Sequence, residues 1–102
     1  MSDRCYENVV GLQVTDEEGY RRYREAMTPL LEACGGGFRY DFRVAEVLRS
    51  ETEAPINRVF LIHFPSVAAK EAFFADPRYL EARAAHFVPS VGAVTILAEY
   101  ER

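Results

Sequence analysis

Four segments of this 102-residue chain alternate between apolar and polar positions, and in each the alternation leaves one parity nearly all apolar. Successive residues of a strand point to opposite faces of a sheet, so each segment reads as a strand with one greasy face and one mixed face. In residues 5–14, Tyr6, Val10, Leu12 and Val14 share a face on which Asn8 is the intruder, and Cys5, Glu7, Val9, Gly11 and Gln13 share the other. Gly11 inside a strand marks a bulge or a close approach by another group. In residues 38–48, Phe38, Tyr40, Phe42 and Val44 oppose Arg39, Asp41 and Arg43, and the pattern blurs near Ala45, where a bulge is expected. In residues 58–64, Phe60, Ile62 and Phe64 oppose Val59, Leu61 and His63. In residues 93–100, Val94, Ile96, Ala98 and Tyr100 oppose Ala93, Thr95, Leu97 and Glu99.

Between the strands the period lengthens to that of a helix. Thr15 offers an N-cap with Glu18 completing a capping box, and Tyr20, Tyr23, Met27, Leu30, Leu31 and Cys34 follow as one apolar stripe. Pro29 predicts a kink or restart near Thr28, and Gly35, Gly36 and Gly37 predict the stop. Residues 49–57 read as a long polar loop. Ser66 caps a second helix, and Asp76 with Pro77 starts a short third one running to about His86, followed by a connector over 87–92. The order β-α-β-β-α-β is the ferredoxin-like α+β pattern: a four-stranded antiparallel sheet, with right-handed crossovers placing the helices on one face.

The length fits a single domain spanning 1–102, with no room for a second core. The formal charge is −4 without a basic stripe, which argues against nucleic acid. No apolar run is long enough for a bilayer, so no membrane partner is expected. Positions 1–15 show no signal-peptide pattern, and a cytoplasmic location is the default expectation. Cys5 and Cys34 lack redox spacing and read as small reduced side chains. The two histidines, His63 and His86, lie far apart with no ligand-spaced motif, so neither a metal nor another cofactor is expected.

The mixed face collects Val9, Val59, Leu61 and Leu97, which do not suit water, together with Arg39, Asp41 and His63, which do not suit dry packing. One reading is a half-buried small-molecule pocket closed by a second copy of the chain. The other is a dimer contact with no pocket. Under the first, His63 is the candidate proton-transfer group. Arg39 and Arg43, flanking Asp41, would hold an anionic substrate through bidentate bonds, with Gln13 and Glu7 as further liners. Under the second, His63 is a hydrogen-bonded structural histidine, and Asp41 with its arginines is an edge-strand salt bridge. Tyr20, Tyr23 and Tyr79 read as core residues with wet hydroxyls. His86 suits a helix C-terminus on charge grounds alone.

Phe64-Pro65-Ser66, then Ala72-Phe73-Phe74, then Asp76-Pro77-Arg78-Tyr79 resembles a segment typical of the domain-of-unknown-function 1330 family, small proteins of the dimeric α/β-barrel superfamily. The Tyr20 to Tyr23 helix, the triple-glycine turn and the closing strand ending at Glu99 fit as well. The resemblance implies a ferredoxin-like monomer and a homodimer formed through the sheets. It implies no settled reaction. The wider superfamily includes cofactor-free quinone-forming monooxygenases, muconolactone isomerases and haem-handling proteins, but this chain has no tryptophan, a departure from the usual monooxygenase site, and no catalytic residue is carried over. The expectation is a protein that binds or transforms a small polar or aromatic carbonyl compound without cofactor. The alternative is a non-enzymatic binding, interaction or stress-related module.

Overall fold

The computed structural model describes residues 5–102, so the part of the signal-peptide reading that falls on residues 1–4 lies outside it. The elements run β1 (Tyr6–Val14), α1 (Glu17–Ala33), β2 (Gly37–Arg43), β3 (Arg58–Phe64), α2 (Val67–Ala75), α3 (Pro77–Ala82) and β4 (Val91–Glu101). The sheet is antiparallel in the order β2-β3-β1-β4, the ferredoxin-like arrangement expected from the sequence.

Local chemistry accounts for the element ends. Asp16 caps α1, its side chain accepting from the Gly19 amide, so the cap falls one residue beyond Thr15. The helix runs through Pro29 without a break, since Tyr20, Tyr23, Met27 and Leu31 are buried along one stripe and their packing outweighs one lost backbone bond. It stops at Gly35, whose φ of 86° is the left-handed conformation that glycine tolerates. The Gly36 amide bonds the Leu31 carbonyl and the Gly35 amide the Glu32 carbonyl, the Schellman pattern. Ser66 caps α2 through the Ala69 amide, and Asp76 caps α3 through the Arg78 amide. The helix expected to run to about His86 becomes a π-helical turn at Arg83–Phe87, and the chain stays helical through a last turn at Val88–Ser90, where a connector was expected. Buried Ser90 accepts the Thr15 and Asp16 amides on its carbonyl, which ties this turn to the start of α1.

The helices pack on one sheet face over Val10, Leu12, Val14, Phe60, Ile62 and Phe64. Three one-residue bulges interrupt the pairing, one in β2 and two in β4. The one at Gly92, between the Gln13–Ala93 and Val14–Val91 pairs, falls at the start of β4, and the other two alter the alternation of the face residues. In β2, Phe38 pairs with Ile62 but Tyr40 pairs with Leu61, so Arg39 is the extra residue. The bulge lies there and not near Ala45, and β2 ends at Arg43 instead of reaching Leu48. An inserted residue turns every later side chain to the opposite face. Tyr40 and Phe42 therefore lie on the helix-free face, ring stacked on ring at 5.7 Å, and Asp41 lies on the helix side. In β4, Val9 pairs with Ala98 and Val10 with Ile96, leaving Leu97 as the extra residue. Ala98 and Tyr100 thus join the helix-free face, and Glu99 turns to the helix side, where Tyr6 donates to it.

Residues 44–57 cross the sheet and are anchored by Asn57, whose amide bonds the Leu12 carbonyl and whose carboxamide bonds both the N–H and C=O of Val14. This seats Ile56 on Gly11, where a Cβ would come within 3.1 Å of its side chain. The expected close approach at Gly11 is thus made by Ile56.

Candidate functional site

The helix-free face carries a polar cluster at one end. Glu7 pairs directly with His63 across β1 and β3. Its carboxylate accepts from Arg39 Nε, from Arg102 Nη1 at 3.4 Å and from the Tyr100 hydroxyl. Glu7 has no exposure to water, yet its cover is thin: Arg39 and Arg102 remain 32% and 58% exposed, so these side chains shield it and not the core. Burial pushes the Glu7 carboxyl up, but the bonds from Tyr100, Arg39 and Arg102 together outweigh it and hold the group below its usual range. Desolvation lowers the His63 pKa, and the Arg39 charge adds to this while Glu7 opposes it. Gly37 passes close beneath the imidazole, since a Cβ there would meet His63 Nε2 at 3.0 Å.

Of the residues singled out from the sequence, Glu7, Arg39 and His63 meet in this cluster. Gln13 shares the face but sits six residues from Glu7 along β1, about 20 Å away, with its side chain against Gly92. Asp41 and Arg43 do not share it, because the Arg39 bulge reverses their parity. Asp41 is held by Arg58 at 2.8 Å and Arg24 at 3.1 Å, and Arg43 pairs with Glu17 at the start of α1. Burial raises the Asp41 pKa, but the two guanidiniums more than offset it and the carboxyl stays below its usual value. The expected Arg39–Asp41–Arg43 ladder is thus absent among the described residues. Cys5, half-buried, accepts from Arg39 Nη2 at 3.2 Å, and Cys34 donates to the Leu31 carbonyl at the end of α1.

A hollow with a more apolar lining lies on the other side of the sheet, between it and the helices, and is open along half-exposed Val94 and Ile96 of β4. Its volume is about 250 Å³, and Val10, Leu12, Met27, Ile62 and Phe87 supply apolar wall. The polar lining is sparse. Tyr23 and Tyr79 hydrogen-bond each other at 2.9 Å, so their hydroxyls are not the wet ends expected from sequence. Burial pushes the pKa of both phenols up, and they stay protonated at neutral pH. Arg24 also lines the hollow, its Nε donating to the Tyr20 hydroxyl at 2.8 Å and its guanidinium lying over the Phe38 ring. Asn8 lines it from β1, and its Oδ1 is buried with no hydrogen-bond partner among the described residues. The π-helical turn borders the hollow through Arg83 and Phe87, a helix irregularity common at functional sites.

A second, more open hollow of about 700 Å³ lies on the helix-free face under residues 44–57, against Val59, Thr95 and Leu97. None of His63, Arg39, Asp41, Arg43 or Gln13 lines either hollow. Sequence reading passed over the cavity's polar residues. The signal for Asn8 was nonetheless visible as one amide in an otherwise apolar parity. Among the described residues no group of three or more His, Cys, Asp or Glu is placed to hold a metal, and no helix is long and apolar enough to cross a membrane.

This arrangement of sheet and helices recurs in proteins of known structure. The chain belongs to the family described as "domain of unknown function (DUF1330)", whose model matches residues 8–100. It is similar to a protein of unknown function from Rhodopseudomonas palustris, at 20% identity over 99% of this chain and 84% of that one, with a TM-score of 0.83. A dimeric ferredoxin-like protein of unknown function from Jannaschia sp. shares 20% identity over 97% and 99% of the two chains, with a TM-score of 0.59. The hydroxynitrile lyase of Passiflora edulis shares 17% identity over 99% and 95%, with a TM-score of 0.63. No curated protein matches the sequence.

Proposed function

We propose that this protein is a homodimer that binds a small polar or aromatic carbonyl compound in the cavity between helices and sheet, without a cofactor. The observation that carries this reading is the half-open, mostly apolar hollow of about 250 Å³ with a few inward polar groups, the usual make-up of a small-molecule site. A cavity of about 150 Å³ lined by aliphatic and aromatic side chains already admits benzene, so one substituted ring fits here. That the same fold serves a hydroxynitrile lyase supports small-molecule chemistry as within its range. In this reading the helix-free face pairs two subunits. Tyr40 and Phe42 are 57% and 52% exposed there, and the dimeric relative from Jannaschia sp. supports the pairing.

The test is a titration of the isotope-labelled protein with benzaldehyde, followed through the amide resonances of Val10, Tyr23 and Met27. Saturable shifts at these residues are expected. Their absence, with shifts confined to surface positions, ends the cavity reading. Sedimentation of Phe42→Asp tests the pairing: the variant should run as a monomer, and an unchanged mass would dismiss the sheet-to-sheet dimer.

A second reading keeps His63 as a proton-transfer group with Arg39 as its anion holder, favoured by both meeting at Glu7, which pairs with His63 and accepts from Arg39. Asp41, with both oxygens engaged by Arg24 and Arg58, and Arg43 on the far face would then play no part. His63→Ala separates the two. Loss of the benzaldehyde shifts with the dimer intact would favour the histidine, and unchanged shifts would favour the cavity.

A further inference from the structure

We infer that Asn8 selects the cavity's ligand: the hollow takes an uncharged single-ring compound that donates a hydroxyl proton to Asn8 Oδ1, while its carbonyl accepts a proton from the tyrosine pair. The inference rests on the cavity reading above and deepens it. Asn8 is 92% removed from water, since only 8% of it is exposed. It stands on β1 opposite Ile62, in a wall that is otherwise apolar on its own strand through Val10 and Leu12. A buried carboxamide oxygen with no partner destabilises a fold, and protein interiors rarely tolerate one. Here nothing in the core answers it. A ligand hydroxyl would.

The opposite half of the match comes from the tyrosines. Between Tyr23 and Tyr79 only one proton can lie between the two oxygens, so the second hydroxyl proton is left to donate elsewhere. An acceptor and a donor in one apolar hollow suit a ligand that carries a hydroxyl and a carbonyl. Charge is not matched. Among the described residues no carboxylate, lysine or histidine lines the hollow. Arg24 is committed to Asp41 and to the Tyr20 hydroxyl. Arg83 is exposed at the rim, where its guanidinium packs over the Phe87 ring at 5.4 Å and is engaged by the Tyr79 hydroxyl.

The experiment compares three probes on the full chain: 4-hydroxybenzaldehyde, benzaldehyde and 4-hydroxybenzoate. Wild type should bind 4-hydroxybenzaldehyde at least tenfold more tightly than benzaldehyde, and 4-hydroxybenzoate more weakly than either, because an unanswered buried polar atom costs about that much. Asn8→Leu should still bind benzaldehyde, lose the preference for the hydroxylated probe, and melt higher than wild type without probe. Asn8→Ala serves as a second variant should leucine prevent folding. The same preference in the variant, or 4-hydroxybenzoate binding as tightly as the hydroxyaldehyde, overturns the selection by Asn8. Equal binding of both aldehydes to wild type overturns it too while leaving the cavity reading intact. No cavity shifts with any probe overturns both.

Discussion

Glu7 and His63 stand opposite each other across the two central strands, on the sheet face that carries no helix. Both have pKa values below their ordinary ones, 4.5 and 6.5 respectively. In each case the unfolded chain binds protons more readily than the folded one, so stability rises with pH through the window of the shift. Acidification should therefore lower the melting temperature in two steps, first below about pH 6.5 from His63 and then below about pH 4.5 from Glu7. His63→Asn should remove the first step and keep the second, as a series of melting curves from pH 8 to pH 3.5 would read. An upper step that survives in the variant would place its origin elsewhere.

Asp41 lies between two guanidiniums that are only 16% and 17% exposed. Asp41→Asn leaves both arginines crowded together without a counter-charge. The expected loss is about 1–3 kcal/mol by urea denaturation, discounted for the partial exposure of the carboxylate. Arg43→Ala, which breaks the ion pair of an arginine 78% exposed, should cost less than about 0.5 kcal/mol. Equal losses in the two variants would contradict the placement of Asp41 on the helix side.

The Tyr23–Tyr79 bond is buried. Tyr79→Phe and Tyr23→Phe should each cost about 1–2 kcal/mol, because each leaves the other hydroxyl unanswered. The double variant should cost less than the sum, with a coupling of about 1 kcal/mol in a double-mutant cycle. Strict additivity would mean that the two hydroxyls do not interact.

Gly36 passes close to the end of β3. A Cβ there would sit 2.7 Å from the His63 carbonyl oxygen, which is backbone and cannot swing aside. Gly36→Ala should destabilise by about 1–3 kcal/mol. Gly92→Ala meets side chains alone, the movable tip of Gln13 and the Thr15 methyl at 3.2 Å, and should cost less. Chemical denaturation of the two variants side by side decides it.

Much of the fold could be read from periodicity. Three of the four strands fall close to where alternation placed them, β2 stops five residues short of Leu48, and the caps at Ser66 and Asp76 act as their residue types require. What alternation could not reveal is a single inserted residue. Arg39 and Leu97 look like ordinary members of their strands, and only pairing with β3 and β1 exposes them as extra. For that reason Asp41, Arg43 and Glu99 were assigned to the wrong face, and Tyr40, Phe42 and Tyr100 to the opposite wrong one. The site was less legible than the fold because its groups are long-range neighbours. Tyr23 and Tyr79 are 56 residues apart, and their shared hydrogen bond leaves no trace in local pattern. Asn8 is the exception, since a lone amide in an apolar row is visible before any coordinates.

The bulge at Arg39 does more than tilt one edge of the sheet. Were that residue deleted, the outer half of β2 would rotate by half a turn, tucking two aromatic rings beneath α1 and lifting an acid into the open. In the proposed pairing, a second subunit meeting that altered surface would find a carboxylate in place of the stacked rings. What this molecule shows to a twin thus hangs on a single miscounted position in a strand seven residues long.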